Sequence, residues 1–458
     1  MLCSLPPGLA RAGGYEVGDT GAEAMGRGGS FVAKADNPTA INYNPAGLAK
    51  LRGYQGALSL DLVHTAYDFQ RTGAPEGESA FVAIGKTNPW FVAPLHFMVT
   101  ADFGISRRLT FAAGYYAPPT VANQYPKEIR VDGLVKALPQ RYDLISQEGI
   151  LAFPTLAVAY RATDWLDVGL SLQSVVIQMR TLTTAVATIG CQDFDSVDCD
   201  VQTDIEGRDF FAPTGSAGVL VRPVDFLELG ASIRLPARSE MHGKARFTFG
   251  AGLQEASRTL ERPLLTPSVP SATIIKKFPW MFRLGGRLVR REGGRERADL
   301  EVDLAYELWS RASTNVITLD GMVLGSRLAP LTLDLRLKDT LSLRLGGSLC
   351  YPLPSGWEWV FRAGGFAETE NTATRDTRLH VPGPRRLGLT AGIGLAGERW
   401  KVDLAYVHLF FPAVDVQGSG VRALDLASAE GPLIGDGHYE YHYDAVLLQL
   451  SVALGGFQ

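Results

Sequence analysis

Residues 400–406, which read Trp-Lys-Val-Asp-Leu-Ala-Tyr, carry the pattern that decides the fold. Trp, Val, Leu and Tyr alternate with Lys, Asp and Ala, so one face of the stretch is apolar and the other is polar or small. A period of two is typical of a β-strand, because successive side chains point to opposite faces. Residues 227–235, 341–349 and 387–395 repeat the alternation. The sequence therefore predicts an all-β protein, although alternation alone also occurs in soluble sandwiches.

The spacing of these stretches favours a membrane barrel over a sandwich. The connections alternate between short, as at 162–164 and 293–294, and long, as at 118–148 and 412–442. Short turns at one end and long loops at the other, over an even number of strands, are typical of outer-membrane barrels. Because lipid cannot satisfy an open sheet edge, such a sheet must close. About fourteen candidate strands follow from this pattern, near 53–68, 91–104, 109–117, 149–162, 165–187, 210–222, 226–249, 272–290, 297–310, 339–351, 356–370, 385–396, 399–411 and 443–456.

Aromatic residues stand where these strands would leave an apolar band. Tyr and Trp are enriched at membrane interfaces, where their rings are apolar and their polar atoms reach water. Core aromatics of a soluble β protein are the alternative explanation. We expect an interfacial girdle formed by Tyr115, Tyr116, Tyr160, Trp165, Trp309, Tyr351, Trp357, Trp359 and Trp400.

Composition excludes several classes of protein. The chain has 458 residues, with 44 Lys and Arg against 48 Asp and Glu, so its formal net charge is −4. Without a block of clustered basic residues, nucleic acid is not expected as a partner. No apolar run approaches the roughly 18 residues that a transmembrane helix needs. The 50 glycines also make a helical bundle improbable on propensity.

The first residues and two cysteines point to export. Residues 10–12, Ala-Arg-Ala, have the small-x-small form of a signal-peptidase site, so we interpret residues 1–12 as the remnant of an export signal. Cys191 and Cys199 flank a short acidic stretch and suit a local disulfide formed in an oxidising compartment. A metal site is the weaker alternative there, because no second Cys pair or paired His lies nearby.

Residues 13–52 break the strand pattern. They are rich in Gly and Ala and contain two turn signals, Asp36-Asn37-Pro38 and Asn44-Pro45-Ala46-Gly47. Small side chains suit a backbone that passes close to walls, so a structured segment in a confined space is favoured over a linker. A phosphate-binding loop is rejected, because Gly26-x-Gly28-Gly29 follows no strand and lacks the Lys-Ser/Thr ending.

With these residues in view, the chain resembles the FadL/TodX family of outer-membrane transporters for hydrophobic compounds. Asn44-Pro45-Ala46 matches the family's NPA signature, and residues 25–28 (Met-Gly-Arg-Gly) and 36–40 (Asp-Asn-Pro-Thr-Ala) extend the likeness. Weaker matches follow in the right order at 116–119, 153–161, 229–234 and 308–310.

The resemblance implies a fourteen-stranded barrel over residues 53–458 in the outer membrane of a Gram-negative bacterium. It also implies that residues 13–52 form a hatch in the lumen, and that a kink in the third strand opens the wall sideways into the membrane. We expect the hatch and its gating to depend on Asn44, Pro45, Ala46, Gly26, Gly28 and Asp36. The matching kink would lie at Ala112, Ala113 and Gly114, whose small side chains permit a bulge.

An ionised ligand would need cations in an otherwise apolar groove. Candidates on predicted inner faces are Arg234, Arg283 and Arg344, with Arg287 and Lys401 as further possibilities. The alternative is that lumenal cations pair only with lumenal acids, such as Glu228, Asp299, Glu301, Asp303 and Asp403.

Enzymatic chemistry is not indicated. A Gly-x-Ser-x-Gly elbow is missing from the sequence. His438-Tyr439-Glu440-Tyr441-His442 has metal-like spacing for a helix, but a solvated loop is favoured, so neither a metal nor a cofactor is predicted.

We therefore predict a monomeric barrel that contacts outer-membrane lipid and admits hydrophobic small molecules passively, with long-chain fatty acids favoured. The alternatives are a channel for aromatic hydrocarbons and a non-transporting scaffold barrel that acts through its long loops.

Overall fold

The computed structural model describes residues 20–72, 84–87, 90–93, 95–118, 123–131, 134–186, 197–379, 383–424, 431 and 433–454. Within them, 14 antiparallel strands each pair with the strands before and after them in sequence. The first strand pairs with the last along its 18 residues, from Tyr54 opposite Leu454 to Arg71 opposite Gly437. This pairing closes the sheet, and the predicted all-β barrel is confirmed.

The strands are numbered in chain order, and several consist of more than one segment. They are β1 Tyr54–Arg71; β2 Ile84–Thr87, Phe91–Val92 and His96–Ala101; β3 Leu109–Tyr116 and Asn123–Gln124; β4 Ser146–Arg161; β5 Leu166–Val186; β6 Asp200–Val224; β7 Leu227–Arg234 and Ala237–Phe249; β8 Leu265–Phe278 and Met281–Glu292; β9 Arg295–Glu307 and Thr314–Val323; β10 Ser326–Arg327, Leu331–Asp334 and Thr340–Pro352; β11 Glu358–Glu368; β12 Arg386–Ala396; β13 Trp400–Phe410 and Val414–Val416; and β14 Gly437–Leu454.

Helices are few and short. The α-helices are α1 Ala22–Met25, α2 Ala40–Tyr43 and α3 Ala251–Thr259, and the 3-10 turns are Pro45–Lys50, Pro139–Tyr142, Val197–Cys199, Trp309–Ala312 and Thr374–Asp376. A small hairpin, Glu128–Val131 with Leu134–Ala137, lies in the connection between β3 and β4. None of the helices in the described residues is long and apolar enough to cross a membrane.

The strands reach further toward the long-loop end than the sequence predicted. Residues 200–209 were expected in a loop, but they form the start of β6 and pair with β5 and β7. Val201, Thr203 and Ile205 are buried there, while the residues between them are more exposed. This alternation was overlooked because its outward residues are charged rather than apolar.

The outer face of the barrel carries an apolar belt. Leu343 and Leu345 on β10 are each 50% exposed, and Leu389 and Leu404 on β12 and β13 are exposed to a similar extent. Their neighbours in sequence point inward, and Ser342, Thr390 and Asp403 are buried. Apolar side chains on the outside and polar ones on the inside are the arrangement required of a barrel whose solvent is lipid.

Part of the aromatic girdle lies where the sequence placed it. Tyr160, Trp165, Tyr351, Trp357 and Trp400 are exposed near the short turns. Two members of the predicted set are different, and the prediction was wrong for them. Tyr116 is buried and stacks on Phe153 with ring centroids 4.8 Å apart, and Trp309 is buried in the 3-10 turn between the two segments of β9.

The belt predicts how a charge on the outer face affects stability. Leu345→Arg should lower the free energy of unfolding by about 2–4 kcal/mol, because the guanidinium would stand near the middle of the apolar band. Tyr351→Arg, six residues closer to the short turn and to water, should cost about 0–1 kcal/mol. Urea unfolding of the two variants in lipid vesicles measures the difference. Equal losses at both positions would contradict a lipid-facing belt centred on Leu345.

Candidate functional site

Residues 20–52, here called the N-terminal segment, pack against the inner face of the barrel wall. They contact strands on opposite sides of the barrel: Leu51 O accepts from Thr110 Oγ1 on β3, and the Glu23 side chain pairs with Arg362 on β11. All of them are buried except four partly exposed residues, Asp36, Asn42, Lys50 and Arg52. The inner wall and this segment therefore have to satisfy each other's polar groups.

Arg27 is the most deeply placed charge of the segment, with a side chain that is 0% exposed. Its Nη2 lies 2.5 Å from Asp299 Oδ2 and 3.2 Å from Glu301 Oε2, and its Nη1 donates to Ser348 Oγ at 3.0 Å. A buried guanidinium is tolerated only when such partners surround it. Arg27 therefore fixes the segment to β9 and β10.

Two carboxylates of β9 also bind the backbone of the segment. Asp303 Oδ2 accepts from the N–H groups of Phe31 at 2.8 Å and Val32 at 3.0 Å. Glu301 Oε1 accepts from those of Ala33 at 2.7 Å and Lys34 at 3.2 Å. Consecutive N–H groups turned to one side form a concave anion site. The charged groups here belong to the wall, and the segment supplies the donors.

An extended ion network continues from these contacts. Lys50 Nζ lies 2.8 Å from Glu228 Oε2. Arg287, itself fully buried, joins Glu228 at 3.0 Å, Glu296 at 2.5 Å and Asp299 at 2.8 Å. Cations of the wall and of the segment thus share the same acids. Sequence analysis named Glu228 and Asp299 only as partners for lumenal cations, and it did not name Glu296. It did not foresee that these acids hold the segment.

A second group of charges anchors α1. Glu23 lies 2.6 Å from Lys401 Nζ and 3.4 Å from Arg362 Nη2, and Asn37 Nδ2 donates to it at 2.7 Å. Burial alone would raise the pKa of Glu23, but the positive charges of Lys401 and Arg362 hold it well below its ordinary value. Glu23 is therefore an anion that joins the segment to β11 and β13.

The Asn44-Pro45-Ala46 motif forms a turn against the wall. Asn44 Nδ2 donates to Val32 O at 2.9 Å and to Val219 O of β6 at 3.0 Å, while its Oδ1 accepts from Ala46 N–H at 3.1 Å. Pro45 then begins a 3-10 turn, where its fixed φ is suitable and its missing N–H is not needed. One side chain thus joins two parts of the segment to the wall.

Glycines let the backbone of the segment run directly along the wall. Gly28 has a φ of +72°, and a Cβ there would lie 2.6 Å from Gly365 N. On the wall side, a Cβ at Gly346 would lie 1.8 Å from Arg27 O, and one at Gly364 would lie 2.3 Å from Arg27 C. Gly26 makes a similar close approach to Gly392. Pairs of glycines within strands, such as 346–347 and 364–365, could have indicated this contact surface from the sequence. Sequence analysis did not use them in this way.

Asp36 contributes less than the sequence suggested. Its Oδ2 lies 2.7 Å from Lys34 Nζ, and its side chain is 26% exposed. It therefore acts within the segment rather than between the segment and the wall.

The structure brings two of the three predicted ligand-binding cations together. Arg283 on β8 lies over the Tyr43 ring, with Cζ 5.5 Å from the centroid, and donates to Asn42 O. Arg234 on the neighbouring β7 lies over the Phe153 ring at 5.3 Å. Arg344 lies apart on β10, over Phe366 at 5.4 Å. Beyond Arg234 and Arg283, toward the long loops, the buried wall carries an apolar cluster that includes Leu151, Ile177, Ile205, Met241, Ile274 and Leu319. Buried polar side chains, among them Ser239 and Lys276, lie between its members.

The expected kink of the third strand is not seen at the predicted residues. Ala112, Ala113 and Gly114 pair with β2 and β4 in unbroken register, so no bulge occurs at these residues. The described ladder between β3 and β4 instead stops at Tyr116 opposite Phe153 and resumes at Asn123 opposite Gln147. The small residues fit the curved, crowded wall, where a Cβ on Gly114 would lie 2.3 Å from Phe97 O.

A buried histidine lies beside this interruption. His96 Nδ1 accepts from Ala117 N–H at 3.1 Å, so Nε2 carries the ring proton and donates to Asp61 Oδ2 at 2.9 Å. The imidazole thereby ties β3, at the point where its pairing ends, to β1. Sequence reasoning gave His96 no role.

Residues 438–442 lie in β14 and not in a loop, so the preferred interpretation of that motif was wrong. Its tyrosines point inward, where Tyr439 and Tyr441 are buried with Tyr67, Phe69 and Tyr125 near the long-loop end. Residues 1–12 and Cys191 lie outside the described residues, as does the side chain of Cys199, so the export signal and the disulfide stay predictions.

Comparison with known proteins agrees with this geometry. A family model described as "Outer membrane protein transport protein (OMPP1/FadL/TodX)" matches residues 5–453. No curated protein sequence matches the chain.

Solved structures share the fold at low sequence identity. A Pseudomonas aeruginosa FadL homologue has a TM-score of 0.74 at 15% identity, covering 96% of this chain and 99% of its own. The Ralstonia pickettii toluene transporter TbuX has a TM-score of 0.68 at 15% identity, with coverage of 95% and 98%. The Pseudomonas putida toluene transporter TodX has a TM-score of 0.68 at 14% identity, with coverage of 96% and 99%.

The glycine contacts predict what a single methyl group does to the packing of the segment against the wall. Gly346→Ala should displace Arg27 and let small hydrophilic solutes leak from proteoliposomes, because the new Cβ would overlap Arg27 O. Gly286→Ala is the matched control, since a Cβ on that strand glycine meets nothing closer than 3.7 Å. If both folded variants leak no more solute than the parent protein, the contact between Gly346 and Arg27 does not limit leakage.

Proposed function

The chain belongs to the outer membrane protein transport protein family (OMPP1/FadL/TodX), a family of transport channels of Gram-negative outer membranes, and from this membership we propose that it admits long-chain fatty acids. The observation that carries the choice of ligand is the pair Arg234 and Arg283, which stands at the base of an apolar inner wall. We also propose that it acts as a monomer.

The N-terminal segment is proposed as the plug of this channel, and the gate as a local movement of it. Its contacts with β9 involve Arg27 and the backbone of residues 31–34, which would keep the lumen sealed to ions. Transport needs no energy source in this proposal, because transfer of an apolar chain out of water is itself favourable. The ligand's own partitioning would drive uptake.

The base of the apolar wall fits a ligand with one anionic end. A carboxylate there could accept charge-assisted hydrogen bonds from Arg234 and Arg283, while the alkyl chain contacts side chains such as Ile205, Met241 and Ile274. Tyr43 of the N-terminal segment lies directly under Arg283. Binding of an acid would therefore act on a residue of the proposed plug.

Exit is proposed through the wall between β3 and β4 rather than at Ala112–Gly114. The gap in the described ladder beyond Tyr116 leaves residues 148–152 of β4 without a β3 partner among the described residues. A surface groove with a volume of about 950 Å³ runs along the outer face from Gln124 and Ile150 to Lys244. The Asp61–His96–Ala117 contact would set how far this part of the wall can open.

A channel for aromatic hydrocarbons is the second candidate, because two of the similar structures are described as toluene transporters. Such ligands carry no charge, so the two arginines would have no role in their uptake. Parallel measurement of oleate and toluene separates the two candidates.

Arg234→Met should reduce oleate uptake about 10-fold or more, since a hydrogen bond to a charged group contributes about 1.5–3 kcal/mol. Toluene uptake should stay within about twofold. Radiolabelled uptake is measured in cells that lack their own transporter, at equal surface level. Arg238→Met on the same strand is the matched control, because Arg238 is 57% exposed and pairs with Glu240. If Arg234→Met lowers oleate and toluene uptake equally, the argument for an acidic ligand is lost. If the folded parent protein takes up neither compound, the scaffold alternative is favoured.

Asn44→Ala should lower uptake without unfolding the barrel, because it removes the hydrogen bond to Val219 O and frees the turn beside Tyr43. Asn42→Ala is the control, since the side-chain amide of Asn42 donates to Thr20 Oγ1 within the segment and, among the described residues, to no strand of the wall. Surface level and heat-dependent gel migration establish folding. Normal uptake by the Asn44 variant would refute a role for this turn in transport.

A further inference from the structure

The outer face of β14 carries a row of titratable side chains that the proposed channel does not use. His438, Glu440, His442 and Asp444 alternate along the strand and point outward, while the tyrosines between them are buried on the inner side. The row lies on the long-loop side of the apolar belt, which on this strand includes Leu448 and Leu450.

Three groups converge at the seam between the first and last strands. Asp68 of β1 stands directly opposite Glu440 of β14, and Ala66 stands opposite His442. The ligand atoms of Asp68, Glu440 and His442 all lie within 4.8 Å of one another. A carboxylate from one strand and a carboxylate and imidazole from the other therefore face a common point.

The two carboxylates carry like charges and face each other across the seam. Like charges directly opposite each other on neighbouring strands destabilise the pairing. Among the side chains that the structure describes, which do not include that of Lys86 on β2, no Lys or Arg forms an ion pair with Asp68 or Glu440. His438 Nε2 approaches Glu440 Oε1 at 3.2 Å, but its Nδ1 is engaged with Asp415 at 2.7 Å. On β2, Gly85 stands opposite Asp68.

We propose that Asp68, Glu440 and His442 bind a divalent transition-metal ion of the Zn²⁺ type. Two carboxylate oxygens and one imidazole nitrogen are ligands that Zn²⁺ accepts, with further positions open to water because Glu440 is 48% exposed. The ion places a positive charge between the two opposed carboxylates. The imidazole favours transition metals over Ca²⁺ and Mg²⁺, which prefer oxygen ligands only.

The inner side of the seam holds these ligands in place. Tyr67 packs edge-on against Tyr441 with ring centroids 5.4 Å apart, and Phe69 packs against Tyr439 at 4.6 Å. These contacts fix the two backbones whose outward residues form the site, so little rearrangement accompanies binding.

Because its ligands come from the first and the last strand, the ion cross-links the barrel at its closing seam. Binding energy that is absent from the unfolded chain adds to stability by mass action. The site is separate from the N-terminal segment and from Arg234, so its presence does not depend on the transported ligand.

The test is a titration of the full folded chain in detergent with Zn²⁺. Binding is measured by calorimetry and by competition with a chromophoric chelator. The parent protein should bind one ion, and Asp68→Asn and His442→Ala should each weaken binding at least about 10-fold. His242→Ala is the matched control, because His242 is also exposed on the outer face, on β7; it should change the affinity less than about twofold. Zn²⁺ should raise the urea midpoint of the parent protein and of the His242 variant only.

Several results would overturn the proposal. These are no binding by the folded parent protein, undiminished binding by Asp68→Asn or His442→Ala, or Ca²⁺ binding as tight as Zn²⁺. Heat-dependent gel migration verifies that each variant is folded, and Asp68→Asn removes a charge with almost no change of shape. Oleate uptake by the same variants should be normal, so failure of the metal site is distinguishable from failure of the channel.

Discussion

The buried charges of the lumen are the constraint on which the rest of the structure depends. Arg27 and Arg287 are both completely shielded from solvent, and each would be very costly to bury alone. They share Asp299 on β9, so the N-terminal segment and the wall complete one ion network. Moving the segment as a rigid body would expose unpaired charges. A local change near Tyr43 and Asn44 leaves those pairs intact and is therefore the less costly movement.

The barrel separates two environments across a single layer of backbone. Leu345 points to lipid while the adjacent Gly346 lies against Arg27. Because the side-chain period is two, a shift of register by one residue would place glycine in the lipid and leucine against the segment. The same alternation on β14 separates an inner aromatic cluster from an outer row of acids and histidines. The residues of each strand therefore have to suit two environments, one on each face of the wall.

Much of this architecture could be predicted from the sequence, because alternation and connector length are local signals. The barrel and its strand number followed from them, whereas the family followed from the resemblance carried by Asn44-Pro45-Ala46 and its neighbours. The contact of Asn44 with the wall was not predicted. What could not be predicted was pairing across the lumen. Nothing local shows that Glu301 and Asp303 receive the backbone of residues 31–34, since about 270 residues separate them.

The errors have related physical causes. Tyr116 and Trp309 are of the residue types that form girdles, but whether each is buried depends on its position in the wall. Gly114 was interpreted as a kink, whereas its small size serves close packing in a regular ladder. His438 to His442 suggested a loop because a glycine precedes them, although their alternation was that of a strand.

The way the segment is held has a consequence for the order of assembly. The segment immediately precedes β1, whereas its strongest anchors, Asp299, Glu301 and Asp303, belong to β9 in the second half of the barrel. The wall around the segment is complete only when β1 meets β14. The segment therefore cannot form these contacts until β9 and β10 are in place, although it precedes every strand in the chain. Closure of the ring then encloses residues 20–52 within the wall that supplies their partners.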